Sequence, residues 1–176
     1  MDFMQLAADR FSERRFSDAP VEEEKLRRVL EAGRLAPTAE NAQPQRILVV
    51  RGEDGLAAMD ACTRCRFGAP VVLVLAYDVR AAAVHPDVCD FGLVDISIVA
   101  THMMLEAAEL GLHTCWVGLI DPPELRRRFE IPPSYRAVSV MPLGYPGPRS
   151  RPARLHADRL PLEETVFFDR YGAAGR

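Results

Sequence analysis

A chain of 176 residues, 48% hydrophobic and 27% charged, is long enough to bury a core and has the make-up of one ordinary globular domain spanning 1–176. A net charge of -3 at pH 7 gives a nucleic-acid partner no electrostatic support. The N-terminus MDFMQLAADRF lacks the apolar stretch of a secretory signal and the strongest apolar run is too short to cross a bilayer, so four cysteines imply reduced thiols in a cytoplasm and no membrane partner.

The first informative segment is Arg10-Phe11-Ser12-Glu13-Arg14-Arg15-Phe16. In an extended chain, alternation puts Arg10, Ser12 and Arg14 on one side, with Phe11 and Phe16 as apolar anchors. Two cations and a hydroxyl suit an anionic, planar ligand, although these residues alone favour a solvated Arg-rich turn. Residues 20 to 36 read as a helix with Leu26, Val29, Leu30 and Gly33 on one face. It opens with Pro20 and acids at 22 to 24, at the positive end of the dipole, and ends before Pro37. The loop that follows sets Thr38, Asn41 and Gln43 between Pro37 and Pro44, which concentrates hydrogen-bonding groups on a stiff turn.

Ile47 to Val50 and Val71 to Tyr77 read as buried strands. Residues 93 to 110 form a helix apolar nearly all round, which predicts a central, buried position, and Gly111 is placed to end it in the left-handed conformation. Thr114 to Val117 reads as extended, and Gly118 lets backbone N–H groups approach a ligand closely. Asp121-Pro122-Pro123-Glu124 is a helix start, with a capping acceptor, prolines in the first turn and Glu three residues on. The arginines at 126 to 128 read as solvated surface. Ala137 to Met141 reads as a strand closed by a turn-rich Pro142 to Pro148. The segment Leu162 to Phe168 is apolar, β-prone and isolated beyond a Pro/Arg-rich connector, so it must dock on its own body or on a second subunit.

Several common sites are missing from the sequence. There is no Gly-x-Gly-x-x-Gly after a strand, no Walker-type loop, no Gly-x-Ser-x-Gly elbow and no His-Glu-x-x-His. The single Cys-x-x-Cys at Cys62 and Cys65 lacks the second pair that structural zinc requires, and its motif alone is thin support for a redox role. His85, Asp87 and Asp90 read as a polar loop, so no metal is expected.

Taken together, in order and spacing, these segments resemble the FMN-dependent nitroreductase family over nearly the whole chain. The family's Arg-x-Ser-x-Arg is similar to Arg10, Ser12 and Arg14. Its Pro-Ser-x-x-Asn-x-Gln-Pro is similar to Pro37, Thr38, Asn41, Gln43 and Pro44, and its Gly-Leu-Gly-x-Cys-Trp-x-Gly to residues 111 to 118. Pro-Leu-Gly-Tyr-Pro is matched outright at 142 to 146, and the helix from Asp95 to Leu105 is similar too.

The resemblance implies an α+β fold, a sheet flanked by helices, in a homodimer whose C-terminal strand is domain-swapped. It implies FMN at the dimer interface. Arg10, Ser12, Arg14 and Arg159 would come from one subunit, with Phe11 among them, and Pro37, Thr38 and Asn41 from the other. Backbone groups at Gly118 and Leu119 would face flavin N5. Arg10 and Arg159 are expected at the phosphate, and Arg14 at N1–C2=O, where it tunes the flavin. The implied activity carries hydride from NADH or NADPH to a small acceptor such as a nitroaromatic or quinone. The flavin does the chemistry, so no side chain is expected to be catalytic. With no dinucleotide-binding motif, donor and acceptor share one pocket and the order is ping-pong. Ene reduction, dehalogenation or flavin fragmentation on the same fold, and a flavin-binding protein without turnover, stay open. The chain departs from the family pattern at Phe11 (often Arg or His), Gln45 (often Trp or Phe), His102 (often Asn), His113 (usually Gly) and Ala157 (Lys in some members).

Overall fold

The computed structural model describes residues 2–85 and 88–171. In chain order its first elements are α1 (Phe3–Asp9), α2 (Glu23–Leu35), β1 (Gln45–Val50), α3 (Glu53–Asp60) and β2 (Val71–Asp78). They are followed by α4 (Phe91–Glu109), β3 (His113–Thr114), α5 (Pro122–Arg128), β4 (Tyr135–Gly144) and α6 (Leu162–Thr165).

Every residue of β2 is buried. A continuous run of aliphatic side chains requires cover on both faces of a sheet, and this strand receives it. Its neighbours are β1 on one side and β4 on the other, with β3 beyond β4, antiparallel throughout. Because side chains alternate along a strand, Leu73, Leu75 and Tyr77 of β2 meet Leu26 and Val29 of α2 and Ile96, Val99 and Met103 of α4. Val72 and Val74 point the other way, toward Met59 of α3, Leu125 of α5 and Val140. Each such fully buried side chain contributes roughly 1.5–3 kcal/mol relative to exposure. The architecture is therefore α+β, an antiparallel sheet with helices on both faces, as the resemblance implied.

Two glycines are required by this packing. Gly92 lies so close to the ring of Tyr77 that a Cβ would overlap it. Gly111 ends α4 with φ +74, as its position in the sequence predicts. The start of α4 is capped by Asp90, whose carboxylate accepts from the Leu93 N–H at 3.1 Å. Asp121 does the same for α5, accepting from the Glu124 N–H at 3.0 Å.

Several expectations shift. Helix α2 begins at Glu23, not at Pro20, and neither α1 nor α3 was anticipated. Strand β4 runs past the expected turn to Gly144, with Pro142 inside it. The ring removes only the N–H, and the Pro142 carbonyl still accepts from the Cys115 N–H at 3.3 Å. Leu162 to Thr165 form one helical turn instead of a strand within this chain, and the side chains around it stay exposed. Arg126 is not merely solvated: its guanidinium donates to the carbonyls of Ile131, Pro132 and Tyr135 and closes the end of α5. The largest revision concerns α4. It passes a length and composition test for crossing a membrane, yet one side packs on α2 and β2. The opposite stripe is uncovered, with Leu93 45% and Val94 41% exposed.

Candidate functional site

The segment from Arg10 to Phe16 is extended, and it continues the sheet beyond β3. Ser12 bridges Thr114 in parallel, and the Glu13 N–H donates to the Thr114 carbonyl at 2.9 Å. Alternation then turns Glu13 inward, where it is buried. Its Oε1 accepts from the backbone N–H groups of Arg14 and Arg15 at 2.9 and 2.8 Å, and its Oε2 accepts from the Ser150 hydroxyl. Arg14 is left on the surface, its guanidinium at 3.4 Å from the Ser12 carbonyl. Ser12, Arg14 and Arg15 line an open cavity of about 490 Å³ together with Arg151 and Arg154 of the connector.

Phe11 donates nothing. Its ring packs edge-on against His113 at 4.7 Å and His156 at 6.0 Å. The departures at 11 and 113 are thus one packing unit. Burial lowers the His113 pKa, opposed by the nearby Glu13 charge, so the ring is neutral at pH 7.

The Thr38 loop is held in a strained form. Glu40, Asn41 and Gln43 have φ of 54, 53 and 49. Such left-handed residues other than glycine cost of order 1–3 kcal/mol each and collect at functional sites. Three contacts fix the loop. The Gln43 N–H donates to the Thr38 hydroxyl at 3.1 Å, and the Asn41 N–H to the Thr38 carbonyl at 3.0 Å. The Ala39 N–H donates to Asp95 Oδ1 at 2.8 Å. Asp95 sits in the first turns of α4, 1% exposed, and its Oδ2 has no partner among the described residues. The Asn41 side-chain amide also has none among the described residues. Proline 37 is exposed at the start of this loop, whereas Pro44 is buried at its end.

Gly118 and Leu119 are exposed just after Val117, which pairs with Val140 through two hydrogen bonds of 3.0 Å. The Leu119 carbonyl accepts from the buried Thr63 hydroxyl at 2.6 Å, and the Ile120 N–H donates to the Gly118 carbonyl at 3.1 Å. The carbonyls are therefore committed. The N–H groups of Gly118 and Leu119 find no acceptor among the described residues, and the space in front of Gly118 is open. This is a pair of fixed donors at an accessible edge.

The chain brings Ser12 and Arg14 to one cavity, and Thr38 and Asn41 to a separate loop on α4. Arg10 lies at the end of α1, with no carboxylate partner among the described residues. Arg159 is not brought to the cavity: its guanidinium donates to its own chain, at 2.6 Å to the His156 carbonyl and 2.7 Å to that of Asp158. Cys62 is buried, and burial raises its thiol pKa, which works against thiolate chemistry at the Cys-x-x-Cys. Of the polar loop, His85 contacts Glu40 at 2.8 Å and Asp90 caps α4, while Asp87 lies outside the described residues.

Sequence reasoning missed Glu13, Thr63 and Asp95, which touch the site from behind. Asp95 had a readable signal, a lone carboxylate in an otherwise apolar stretch of helix. Thr63 had none.

A family model described as "Nitroreductase family" matches residues 7–67 and 59–145. The crystal structure of a nitroreductase family protein from Clostridium difficile 630 is 34% identical and superimposes with a TM-score of 0.89, covering 97% of this chain and 99% of that one. An FMN reductase [NAD(P)H] of Bacillus subtilis is 28% identical over 93% of this chain and 72% of its own length. A protein of Exiguobacterium sibiricum 255-15, solved in complex with FMN, shares the fold at 21% identity and a TM-score of 0.82, covering 96% of this chain and 97% of that one.

Proposed function

The chain belongs to the nitroreductase family, and from that premise we propose that it holds FMN at the interface of a homodimer and passes hydride from NADH or NADPH to a small acceptor such as a nitroaromatic or quinone. The observation that carries this reading is the pair of N–H groups at Gly118 and Leu119, without an acceptor among the described residues and fixed from behind by Thr63.

The residues fit the cofactor. Arg10 and Ser12 would take the phosphate end, beside Phe11, whereas Arg159 is held on its own backbone carbonyls. Arg14 would stand at N1–C2=O, where its permanent charge favours the negative charge that reduction brings. Gly118 and Leu119 would donate toward N5. Pro37, Thr38 and Asn41 would come from the second subunit, their loop held rigid by Asp95. When bound, FMN supplies the two-electron relay between donor and acceptor. The protein's part is to orient both partners over one face, to exclude water and to place fixed donors. Because one pocket serves both in turn, the kinetics are ping-pong.

Dimerisation is supported by what a single chain leaves open. Leu93, Val94, Ser97, Ile98, Thr101 and His102 of α4 line an uncovered depression of about 410 Å³. Leu160, Leu162, Phe167 and Phe168 of the tail are exposed too. A second copy would cover the first group, and a tail exchanged onto the partner's sheet would bury the second. The four cysteines, all free, fit a reducing cytoplasm.

The deciding experiment is the visible spectrum of the purified protein before and after NADH or NADPH is added without oxygen. A yellow protein that bleaches is expected, with parallel double-reciprocal lines for donor against nitroaromatic. A yellow protein that neither donor bleaches would mean flavin binding without turnover. A protein colourless even with added FMN would end the reading.

A further inference from the structure

We propose that Arg151 and Arg154, on the connector after β4, are further phosphate-binding side chains for FMN in this chain; the assignment rests on the FMN reading above. Both line, together with Ser12, Arg14 and Arg15, the cavity of about 490 Å³. Neither has an ion pair or hydrogen-bond partner for its guanidinium among the described residues.

Among the described residues the one acid lining this cavity is Glu13, and its carboxylate accepts from the Arg14 and Arg15 N–H groups and from Ser150. Among the described residues that line the cavity, four arginines stand against the single acid Glu13, so the lining carries an excess of positive charge. A phosphate dianion would offset that excess, with bidentate geometry available at an arginine.

The connector is built to hold this arrangement. The Gly147 N–H donates to the Arg15 carbonyl at 2.7 Å, the Arg15 guanidinium to the Arg149 carbonyl at 3.2 Å, and the Ser150 hydroxyl to Glu13. A Cβ at 147 would lie 2.6 Å from the Arg15 carbonyl oxygen, so only glycine permits the approach. These ties hold the start of the connector against the Arg15 segment, and Arg151 and Arg154 line the same cavity as Ser12 and Arg14. The phosphate also needs them. Phe11 has no donor to give, and Arg159 spends its guanidinium on the carbonyls of His156 and Asp158.

The test is to titrate the full chain, freed of flavin, with FMN, riboflavin and inorganic phosphate, in the parent, in Arg151→Gln, in Arg154→Gln and in the double variant. Riboflavin lacks the phosphate, so it separates a phosphate contact from a general loss of shape. Each single variant should weaken FMN binding about tenfold, as expected for a hydrogen bond to a charged group. The double variant should weaken it further and flatten its salt dependence, while riboflavin affinity stays within about twofold. Arg151→Lys should recover part of the loss, because it keeps the charge without the fork. The assignment fails if the double variant binds FMN as tightly as the parent, or loses FMN and riboflavin equally. It also fails if only inorganic phosphate binding changes, which would mark a separate anion site. A parent that binds neither flavin removes the FMN reading itself, and this assignment with it.

Discussion

The two faces of α4 are finished in opposite ways. On one face Ile96, Val99, Met103 and Ala107 are sealed against α2 and β2. On the other, Leu93, Val94 and Ile98 border an open depression. The arginines divide in the same way. Arg34 pairs with Glu31, Arg66 with Asp60, and Arg127 and Arg128 share Glu124, whose pKa they pull down to about 2. Arg14, Arg151 and Arg154 have no such partner among the described residues. A chain with more acids than bases has carboxylates to spare. The body of the protein completes its own packing and charge balance, whereas this side leaves apolar and cationic groups uncovered among the described residues, as the proposed FMN-binding homodimer would use them.

The sharpest way to break this contrast is to delete residues 162–176. The expected outcome is total loss of dimer and of bound FMN, with far-UV circular dichroism of the body retained. A truncated monomer that still binds FMN tightly would overturn the division. Next come two substitutions on α4. Ile96→Ala should destabilise the fold by about 2–5 kcal/mol in denaturant unfolding, with FMN affinity of the folded fraction unchanged. Leu93→Glu should shift the chain to monomer by size-exclusion chromatography and lose flavin. If the two variants behave alike, the faces are not functionally distinct.

Asp95 lies between those faces and gives the third test. Asp95→Ala removes the acceptor for the Ala39 N–H, so FMN affinity should fall about tenfold. The loss in unfolding free energy should be smaller than for Ile96→Ala, because an unpartnered buried oxygen is removed at the same time. An unfolding loss as large as that of Ile96→Ala, with FMN affinity intact, would make Asp95 a core residue only.

Arg14 and Arg10 separate tuning from binding. Losing a stabilising interaction of about 1.4 kcal/mol with reduced flavin lowers a two-electron potential by about 30 mV. Arg14→Gln should show that shift in a redox titration at saturating FMN. Arg10→Gln should weaken binding and leave the potential unmoved, since the phosphate charge does not change on reduction. Equal potentials would show that Arg14 does not face the reducible end.

The smallest effect concerns His113. Its folded pKa is lowered by burial, so the folded state takes up a proton less readily than the unfolded one. Above about pH 6.5 both states are neutral and the group contributes nothing to the pH dependence. Below that, stability should fall as pH falls, until the folded-state pKa is passed. His113→Gln should make the acid side of the stability profile shallower, and an unchanged profile would count against a buried neutral ring.

Much of this was legible in the residues. The all-apolar run at 71–77 required a doubly covered strand, and Asp121-Pro122-Pro123-Glu124 announced α5, because both depend on local chemistry that each segment carries itself. The short helices α1 and α3 were not legible, since a few residues of mixed polarity carry no clear period. Pro142 read as a turn because its ring costs a ladder N–H, and only the neighbouring strands show that its carbonyl is still used.

The site divides along the same line. The residue types and their order, from Arg10, Ser12 and Arg14 through Pro37, Thr38 and Asn41 to Gly118, were enough to name the family and to expect FMN. Which groups stand behind them was decided by tertiary contacts between distant segments: Glu13 with Ser150, Ala39 with Asp95, and Thr63 with Leu119. Sequence states which side chain a position offers. Whether a guanidinium meets a carboxylate, its own backbone or open space depends on what the fold brings beside it, which is why Arg159 folds back on its own carbonyls while Arg151 and Arg154 line the cavity.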